Sequence, residues 1–306
     1  MPKAAHSAKL KPSVSIIGSG RLGTALALAL SSSGYSIQAV VARRATSARK
    51  AARLLGRPTV ALKASELNLL PASTIMLLAT PDDAIAHVAQ RLASSQRNML
   101  KGSIVLHTSG ALSSNFLKPL IGAGYHIGSL HPLVSVSDPQ AGQKSLRGAF
   151  YCIEGDAAAT RTARAMVRDL GGHSFTISSD NKPLYHAAAV MASGHVLALY
   201  DLATELLVQC GLKQGKALQV LLPLLQSTVR NLLRSDPARA LTGTFSRGDV
   251  ATVRRHLQAL SRKELREAFE VFKLLGAHSL ELAARNGLEP KLAQQINRAL
   301  TAAKKN

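Results

Sequence analysis

Several residue types on which other protein classes depend are scarce in this sequence. Tryptophan is absent, and the two cysteines, Cys152 and Cys210, are too far apart for a metal-binding or redox motif. Two isolated thiols are typical of a reducing compartment, so we expect a cytoplasmic protein without a metal site. No apolar stretch predicts a membrane span, and the basic N-terminus lacks the apolar segment of a signal peptide.

Acidic residues are also scarce. The chain has 17 Asp and Glu against 38 Lys and Arg, a net charge of +21, and its first acidic residue is Glu66. Such an excess can indicate binding to nucleic acid. However, the basic residues are dispersed along the chain, without a long Lys/Arg block and without interleaved aromatic residues. We therefore favour an anionic cofactor, with nucleic acid as the less favoured alternative.

A strand, a glycine-rich turn and a helix follow one another near the start of the chain. Val14 to Ile17 is an apolar run typical of a buried strand, and Thr24 to Leu30 reads as a buried helix. In the turn, the first glycine allows a tight bend, the second a close approach of pyrophosphate, and the third close helix–strand packing. The helix N-terminus favours phosphate. This pattern predicts a dinucleotide site at Gly18, Ser19, Gly20, Arg21, Leu22 and Gly23.

The next strand, over 35–42, ends at two arginines, Arg43 and Arg44. A site for NAD usually has an Asp or Glu here, about 20 residues beyond the glycines, to bind the ribose 2′-hydroxyl. This chain has none. Guanidinium groups instead match the geometry of a phosphate. The arginines therefore favour NADP(H), although either could also be a solvated residue at a strand end.

Later strands place polar residues at the same predicted edge of the sheet. Since the carboxyl ends of parallel strands line the ligand crevice, we expect four residues there to contact the cofactor: Thr80, Pro81, Thr108 and Ser109. Two histidines at strand ends, His107 and His131, are candidates for proton transfer. The alternative is that both histidines are structural.

Apolar strands alternating with helical segments predict an α/β fold class, a Rossmann-type domain with a mostly parallel sheet. The polar segment 178–181 is the natural boundary. Beyond it the pattern is helical throughout, beginning with one long helix over 183–210. We therefore expect a flexible basic N-terminus over 1–12, a dinucleotide-binding domain over 13–180 and an all-helical substrate and dimerisation domain over 181–306.

With these motifs the sequence resembles the 6-phosphogluconate dehydrogenase-like superfamily, through its glycine loop, Leu78-Ala-Thr-Pro-Asp82 and its helical second half. That group includes hydroxyisobutyrate dehydrogenases, pyrroline-carboxylate reductases and ketopantoate reductases. The chain is most similar to an uncharacterised branch in which a Rossmann-like domain is fused to a helical domain of unknown function. The motifs shared with that branch are His107-Thr-Ser-Gly-Ala111, Leu130-His-Pro-Leu133, Ile153-Glu-Gly-Asp156, Leu184-Tyr-His-Ala-Ala-Ala189, Ala240-Leu-Thr-Gly243 and Arg247-Gly-Asp249.

The resemblance implies further candidates. Hydroxyacid members of the superfamily have a catalytic Lys, followed four residues later by an Asn, at the start of the first long helix. Lys182 and His186 have that spacing here, and one helical turn places both on the same face. The change from Asn to His departs from the pattern, so Lys182 could equally be a solvated lysine and His186 a packed histidine. The resemblance also implies a homodimer, which the apolar stretch 190–207 supports.

These observations together predict an NADP(H)-dependent oxidoreductase that transfers a hydride to or from a small carbonyl or imine substrate, with an oxo or hydroxy acid favoured. A proton donor would come from Lys182, His186, His107 or His131. The alternative from another class is a non-catalytic NADP-binding redox sensor or interaction module.

Overall fold

The structure is a computed structural model that describes residues 11–56, 58–95, 100 and 102–304. Of the predicted flexible N-terminus, 1–12, residues 1–10 lie outside the described residues. Contacts between residues divide the chain into two compact units, one ending at Ser193 and one beginning at Gly194. Each unit is described by itself.

The first unit contains an eight-stranded sheet. Its order is β3-β2-β1-β4-β5-β6-β7-β8, and every neighbouring pair is parallel except β6 with β7. This confirms the predicted α/β class with a mostly parallel sheet. The strands are β1 (Ser13–Ile17), β2 (Ser36–Ala42), β3 (Val60–Lys63), β4 (Ile75–Leu78), β5 (Ile104–His107), β6 (His126–Pro132), β7 (Phe150–Gly155) and β8 (His173–Phe175).

Helices connect these strands and cover the sheet. They are α1 (Arg21–Ser32), α2 (Ala45–Leu55), α3 (Asp82–Ser94), α4 (Pro139–Ser145), α5 (Ala157–Asp169) and α6 (Lys182–Met191). Short 3₁₀ helices occupy Ala64–Leu69, Ser114–Leu120 and Ser179–Asn181. The second of these contains Pro119, which cannot donate a backbone hydrogen bond.

Two hydrophobic cores lie on opposite faces of the sheet. Leu77 belongs to the core that contains Leu26 of α1 and Met166 of α5. Its neighbour Leu78 belongs to the core that contains Ile85 of α3. Because successive strand residues point to opposite faces and both faces are covered, the strands are continuous apolar runs. This is why the sequence identifies them.

The strand order reverses between β1 and β4, and the crevice of a doubly wound sheet lies at this point. Gly18 N–H donates to Val41 O at 2.8 Å, and Ala79 N–H donates to Ile17 O at 2.8 Å. These bonds extend the ladder just past the ends of β1 and β4. The glycine turn is thereby fixed at the carboxyl edge of the sheet.

The second unit is helical in its described residues, which confirms the predicted helical C-terminal region. Its helices are α7 (Gly194–Gln209), α8 (Gln214–Leu232), α9 (Pro237–Ala240), α10 (Val250–Leu260), α11 (Arg266–Arg285) and α12 (Pro290–Ala302). Val253, Phe269 and Ile296 are buried at its core. The helix predicted over 183–210 is interrupted after α6, because Ala192 and Ser193 form a turn.

Helix α6 belongs to the first unit, although the sequence places it in the second domain. The reason is the buried side chain of Lys182, whose ammonium donates hydrogen bonds to Ser109 O at 2.9 Å and to Ser129 Oγ at 3.0 Å. Ser109 follows β5 and Ser129 lies in β6. These bonds attach the start of α6 to the sheet, so the compact unit extends beyond the predicted boundary at residue 180.

Within the described residues, the helical segments over Ser179–Gln209 together have the length and composition of a membrane-crossing helix, although the turn at Ala192 and Ser193 interrupts them. Their most apolar part has a mean hydropathy of 1.3 and is only 6% buried. Length and composition are shared by membrane spans and by helices that pack on another protein surface. The stretch therefore identifies an uncovered apolar surface without identifying what covers it.

Candidate functional site

The glycine turn is closed by contacts that only glycine permits. Gly18 has a φ of +112°, and a Cβ atom there would lie 2.4 Å from Ala79 O. A Cβ atom on Gly23 would lie 1.9 Å from Gly18 O. Gly20 differs, because a Cβ atom there meets no atom within 4 Å. Two of the predicted glycines thus serve the packing of the turn, and the middle one faces open space.

An open cleft of about 710 Å³ lies over this turn. Three guanidinium groups, those of Arg43, Arg44 and Arg91, and a single carboxylate, that of Asp83, are among its lining side chains. Arg91 donates hydrogen bonds to Ala64 O and Ser65 O, which follow β3. The charge balance of the described lining therefore favours an anion.

The cleft also holds polar groups without a protein partner. Ser19 Oγ and Thr80 Oγ1 are buried, line the cleft and make no hydrogen bond with the described part of the chain. Helix α1 begins beside them, with no side-chain cap and no acidic residue in its first turn. Unsatisfied hydroxyls and an uncapped helix N-terminus are the groups that bind phosphate. Together with the space over Gly20, they fit a dinucleotide pyrophosphate.

Most of the predicted cofactor residues lie at this cleft. Gly18, Ser19, Gly20, Arg43, Arg44, Thr80 and Pro81 line it. Leu22 is half-buried in the first turn of α1, and Arg21 is exposed beside it. Thr108 and Ser109 differ, because both are buried and bound to backbone: Thr108 Oγ1 donates to Leu78 O, and Ser109 Oγ accepts from the N–H groups of Ala111 and Leu112.

A second cluster lies around Gly110, just after β5. Its side chains are His131 near the end of β6, and Tyr185 and His186 on α6. His131 Nδ1 and Tyr185 Oη are 2.6 Å apart, and the rings of His131 and His186 meet edge to face at 5.8 Å. A Cβ atom on Gly110 would lie 2.5 Å from His186 Cδ2 and 2.8 Å from His131 Nε2. Both imidazoles therefore rest on the backbone of Gly110.

Lys182 and His107 lie behind this cluster, fully buried. Lys182 donates to Ser109 O and Ser129 Oγ, as described above, and burial lowers its pKa. His107 Nδ1 accepts a hydrogen bond from Ser109 N–H at 3.2 Å. Burial, and then the charge of Lys182, lower the pKa of His107 to about 3. The structure thus brings all four predicted catalytic side chains together, but only His131 and His186 are partly exposed.

His131 is neutral at pH 7. Burial, followed by the charges of Lys182 and His186, lowers its pKa to about 4. Burial also raises the pKa of the Tyr185 hydroxyl, which therefore keeps its proton. An uncharged imidazole and a protonated phenol are hydrogen-bonding groups, not charged ones, at this edge of the sheet.

Tyr185 and Gly110 are not identified as site residues from the sequence. Tyr185 lies three residues after Lys182, so its position on the same face of α6 is implied by helical spacing. Tyrosine, however, is common in helices that pack on a sheet. Gly110 lies within a predicted loop, and only the adjacent imidazoles show why it is glycine.

Comparisons with known proteins agree with this fold. Residues 2–132 match the protein-family model of a Rossmann-like domain, and residues 149–278 match that of a domain of unknown function, DUF2520. This confirms the predicted combination of a Rossmann-like domain with a domain of unknown function. No curated protein sequence matches the chain significantly.

The matches with similar solved structures cover nearly the whole length of those chains. A candidate NADP oxidoreductase from Bacteroides fragilis has 24% identity and a TM-score of 0.71, with 89% of this chain and 98% of that chain covered. A protein from Thermotoga maritima has 22% identity and a TM-score of 0.69, with 89% and 99% covered. Pyrroline carboxylate reductase from Plasmodium falciparum, with NADP bound, has 13% identity and a TM-score of 0.56, with 94% and 99% covered. At these identities the likeness shows the fold.

The low pKa of His107 predicts that acid destabilises the protein. Between its ordinary value of 6.5 and about 3, the unfolded chain binds a proton that the folded chain does not. The free energy of unfolding should therefore fall by about 1.4 kcal/mol per pH unit for this group as the pH drops through that window. His107→Asn should reduce the slope by about one proton, measured by urea unfolding at several pH values. Leu106→Ala, a destabilising control in β5, should keep the wild-type slope; an unchanged slope in His107→Asn would contradict the assignment.

Proposed function

We propose that the protein is an NADP(H)-dependent oxidoreductase. The observation that carries the proposal is the cleft over Gly20, where two unpartnered hydroxyls and an uncapped helix N-terminus lie beside the paired arginines at the end of β2. These groups match a pyrophosphate and a 2′-phosphate respectively. Ser19, Thr80 and the first turn of α1 would hold the pyrophosphate, and Arg43 with Arg44 the 2′-phosphate.

When bound, NADPH supplies a hydride to a carbonyl or imine carbon. The chain's own residues bind and orient the cofactor and the substrate. They also donate a hydrogen bond to the substrate oxygen or nitrogen. His131 and His186 are the candidates that reach the surface of this cluster, whereas Lys182 and His107 act on them from behind.

The comparisons support this proposal through their descriptions. One similar structure is described as a candidate NADP oxidoreductase and another as a pyrroline carboxylate reductase with NADP bound. Both agree with placement in the 6-phosphogluconate dehydrogenase-like superfamily, which we propose for this chain. The basic cleft favours an anionic substrate such as an oxo acid. We propose a cytoplasmic location, and neither a membrane nor nucleic acid as partner.

A non-catalytic NADP-binding sensor is the second candidate. The observation that favours it is the complete burial of Lys182, which uses its hydrogen bonds to attach α6 to the sheet. A lysine held in this way does not touch a substrate. NADPH binding without turnover of small oxo acids or cyclic imines would support the sensor.

We further propose a homodimer formed through α7 and α8. These helices expose large apolar side chains, including Leu197, Leu199, Leu222, Leu224, Val229 and Leu232. Exposed apolar side chains in this number are typical of an interaction site. A second copy of the chain presents the same surface, so a two-fold arrangement would cover both at once.

Gly20→Val should abolish most NADPH binding while the fold survives. The substituted side chain meets no protein atom within 4 Å of its Cβ, but it fills the space into which the pyrophosphate must come. The measurement is NADPH fluorescence titration, with circular dichroism as the fold check. Gly122→Val, at another open glycine away from the cleft, is the matched control and should bind as the wild type does. Normal affinity in Gly20→Val would show that the cofactor lies elsewhere.

Wild-type protein should bind NADPH more tightly than NADH, and Arg43→Ala with Arg44→Ala should remove most of that preference. A charge-assisted contact contributes about 1.5–3 kcal/mol, or roughly 10- to 150-fold in affinity. Both dissociation constants can be measured by the same titration. Arg49→Ala with Arg53→Ala removes the same charge from the exposed face of α2 and should preserve the preference. Equal affinity of the wild type for both cofactors is the contradicting outcome.

Light scattering should give about twice the 32.3 kDa chain mass at roughly 10–50 μM, where an interface of standard size holds. Leu197→Asp, on exposed α7, should shift the protein towards monomer, because it buries a charge in the interface. Leu69→Asp, at an equally exposed leucine of the first unit, should remain dimeric. A wild-type monomer at these concentrations would overturn the proposal.

A further inference from the structure

The cluster at Gly110 contains one hydroxyl whose role the proposed function does not require. Tyr185 Oη lies 2.6 Å from His131 Nδ1 and also interacts with the thiol of Cys152, the residue paired with His131 across β6 and β7. The tyrosine ring packs edge to face on His131 and on Phe175. Its hydroxyl is therefore held between the thiol and the imidazole.

We propose that Tyr185 holds His131 in the tautomer with its proton on Nε2, and that this Nε2–H is the hydrogen-bond donor to the reacting oxygen or nitrogen of the substrate. The proposal rests on the proposed function, which supplies the substrate and the hydride. Tyr185 is a positioning residue, because it acts through His131. Two steps support the proposal.

The first step concerns the single hydroxyl proton of Tyr185. It can be donated to the Nδ1 lone pair of His131 or to the sulfur of Cys152, and a thiol sulfur is a weak acceptor. The short distance of 2.6 Å to Nδ1 also fits a strong hydrogen bond. We therefore assign the hydroxyl as the donor to Nδ1. Because burial raises the pKa of the Cys152 thiol, that thiol keeps its proton and can donate to the hydroxyl oxygen. A neutral imidazole with its Nδ1 lone pair occupied carries its proton on Nε2.

The second step concerns where Nε2 lies. It adjoins Gly110, immediately after β5, at the edge of the sheet that also carries the glycine turn and Thr80. Among the described residues Nε2 has no hydrogen-bond partner, and the side chain is partly exposed. Nδ1 is committed to the protein, so Nε2 is the nitrogen left for a ligand. A neutral imidazole can polarise a carbonyl through such a bond.

The reaction balances with this arrangement. The substrate carbon gains the hydride and its electron pair, the C=O or C=N π bond breaks, and the oxygen or nitrogen takes one proton from solvent. His131 donates a hydrogen bond throughout and is unchanged at the end. Burial, and then the charge of Lys182 behind Ser109 and Ser129, lowers the pKa of His131 and keeps the imidazole uncharged. Lys182 therefore contributes by lowering the pKa of His131, which does not require contact with the substrate.

The test begins with the ¹⁵N chemical shifts of His131 in protein labelled at histidine, without cofactor. His131→Gln identifies its signals by their loss. We expect a protonated Nε2 and a hydrogen-bonded, unprotonated Nδ1 in the wild type. Tyr185→Phe should give a mixture of tautomers. Tyr125→Phe, a buried tyrosine outside the cluster, should match the wild type. A wild-type His131 protonated on Nδ1, or unchanged signals in Tyr185→Phe, would overturn the positioning role.

The second arm measures NADPH affinity and turnover of a panel of small 2-oxo acids and cyclic imines. His131→Gln should lower kcat by about 10²- to 10³-fold, the effect of removing one hydrogen-bond donor to a developing negative charge. Tyr185→Phe should lower it by about 3- to 10-fold, the equivalent of one neutral hydrogen bond. Both should keep the wild-type affinity for NADPH. Full activity of His131→Gln would overturn the donor role and leave the oxidoreductase standing. A wild type that fails to bind NADPH, or binds it without turnover of any panel member, would overturn the proposed function and the donor role with it.

Discussion

The buried ammonium of Lys182 connects the parts of the candidate site. It donates to a carbonyl that follows β5 and to a hydroxyl within β6, so it fixes the start of α6 at the ends of two neighbouring strands. Tyr185 and His186 lie one turn further along that helix and reach His131 and Gly110 only because the helix begins there. A buried charge is costly unless it is well bonded. The position of α6 is correspondingly well determined.

The sheet edge carries two groups of residues with different chemistry. Over β1, β2 and β4, the groups are backbone amides, small hydroxyls and arginines, which suit phosphate. Beyond β5 and at β6, they are an uncharged imidazole, a phenol and a second imidazole, which suit a polar atom of a small organic molecule. Neighbouring strands are about 4.8 Å apart, and β6 lies two strands from β4. One extended dinucleotide can therefore reach from the phosphate-binding residues to the imidazoles.

Much of the first unit follows from the sequence, because continuous apolar strands and a spaced glycine turn are local signals. The roles of the glycines in the turn could be predicted, because the space around a glycine backbone in such a turn depends on few neighbouring residues. Lys182 could not be recognised as buried, since spacing places it at a helix start without saying which atoms surround its ammonium. The same limit applies to Thr108 and Ser109, whose hydroxyls turn back to backbone groups. Tyr185 is recognisable only from its contacts with residues of β6 and β7.

The charge distribution of the cleft has a kinetic consequence. The chain has a net charge of +21, and the described lining of the cleft has three guanidinium groups and one carboxylate. These charges produce a positive potential that extends into the solvent. Small anions are therefore drawn towards the opening before they make any specific contact, and their encounter rate exceeds that of neutral molecules of the same size. Because the Debye length shrinks from about 30 Å at 0.01 M salt to about 8 Å at 0.15 M, this attraction weakens steeply as ionic strength rises.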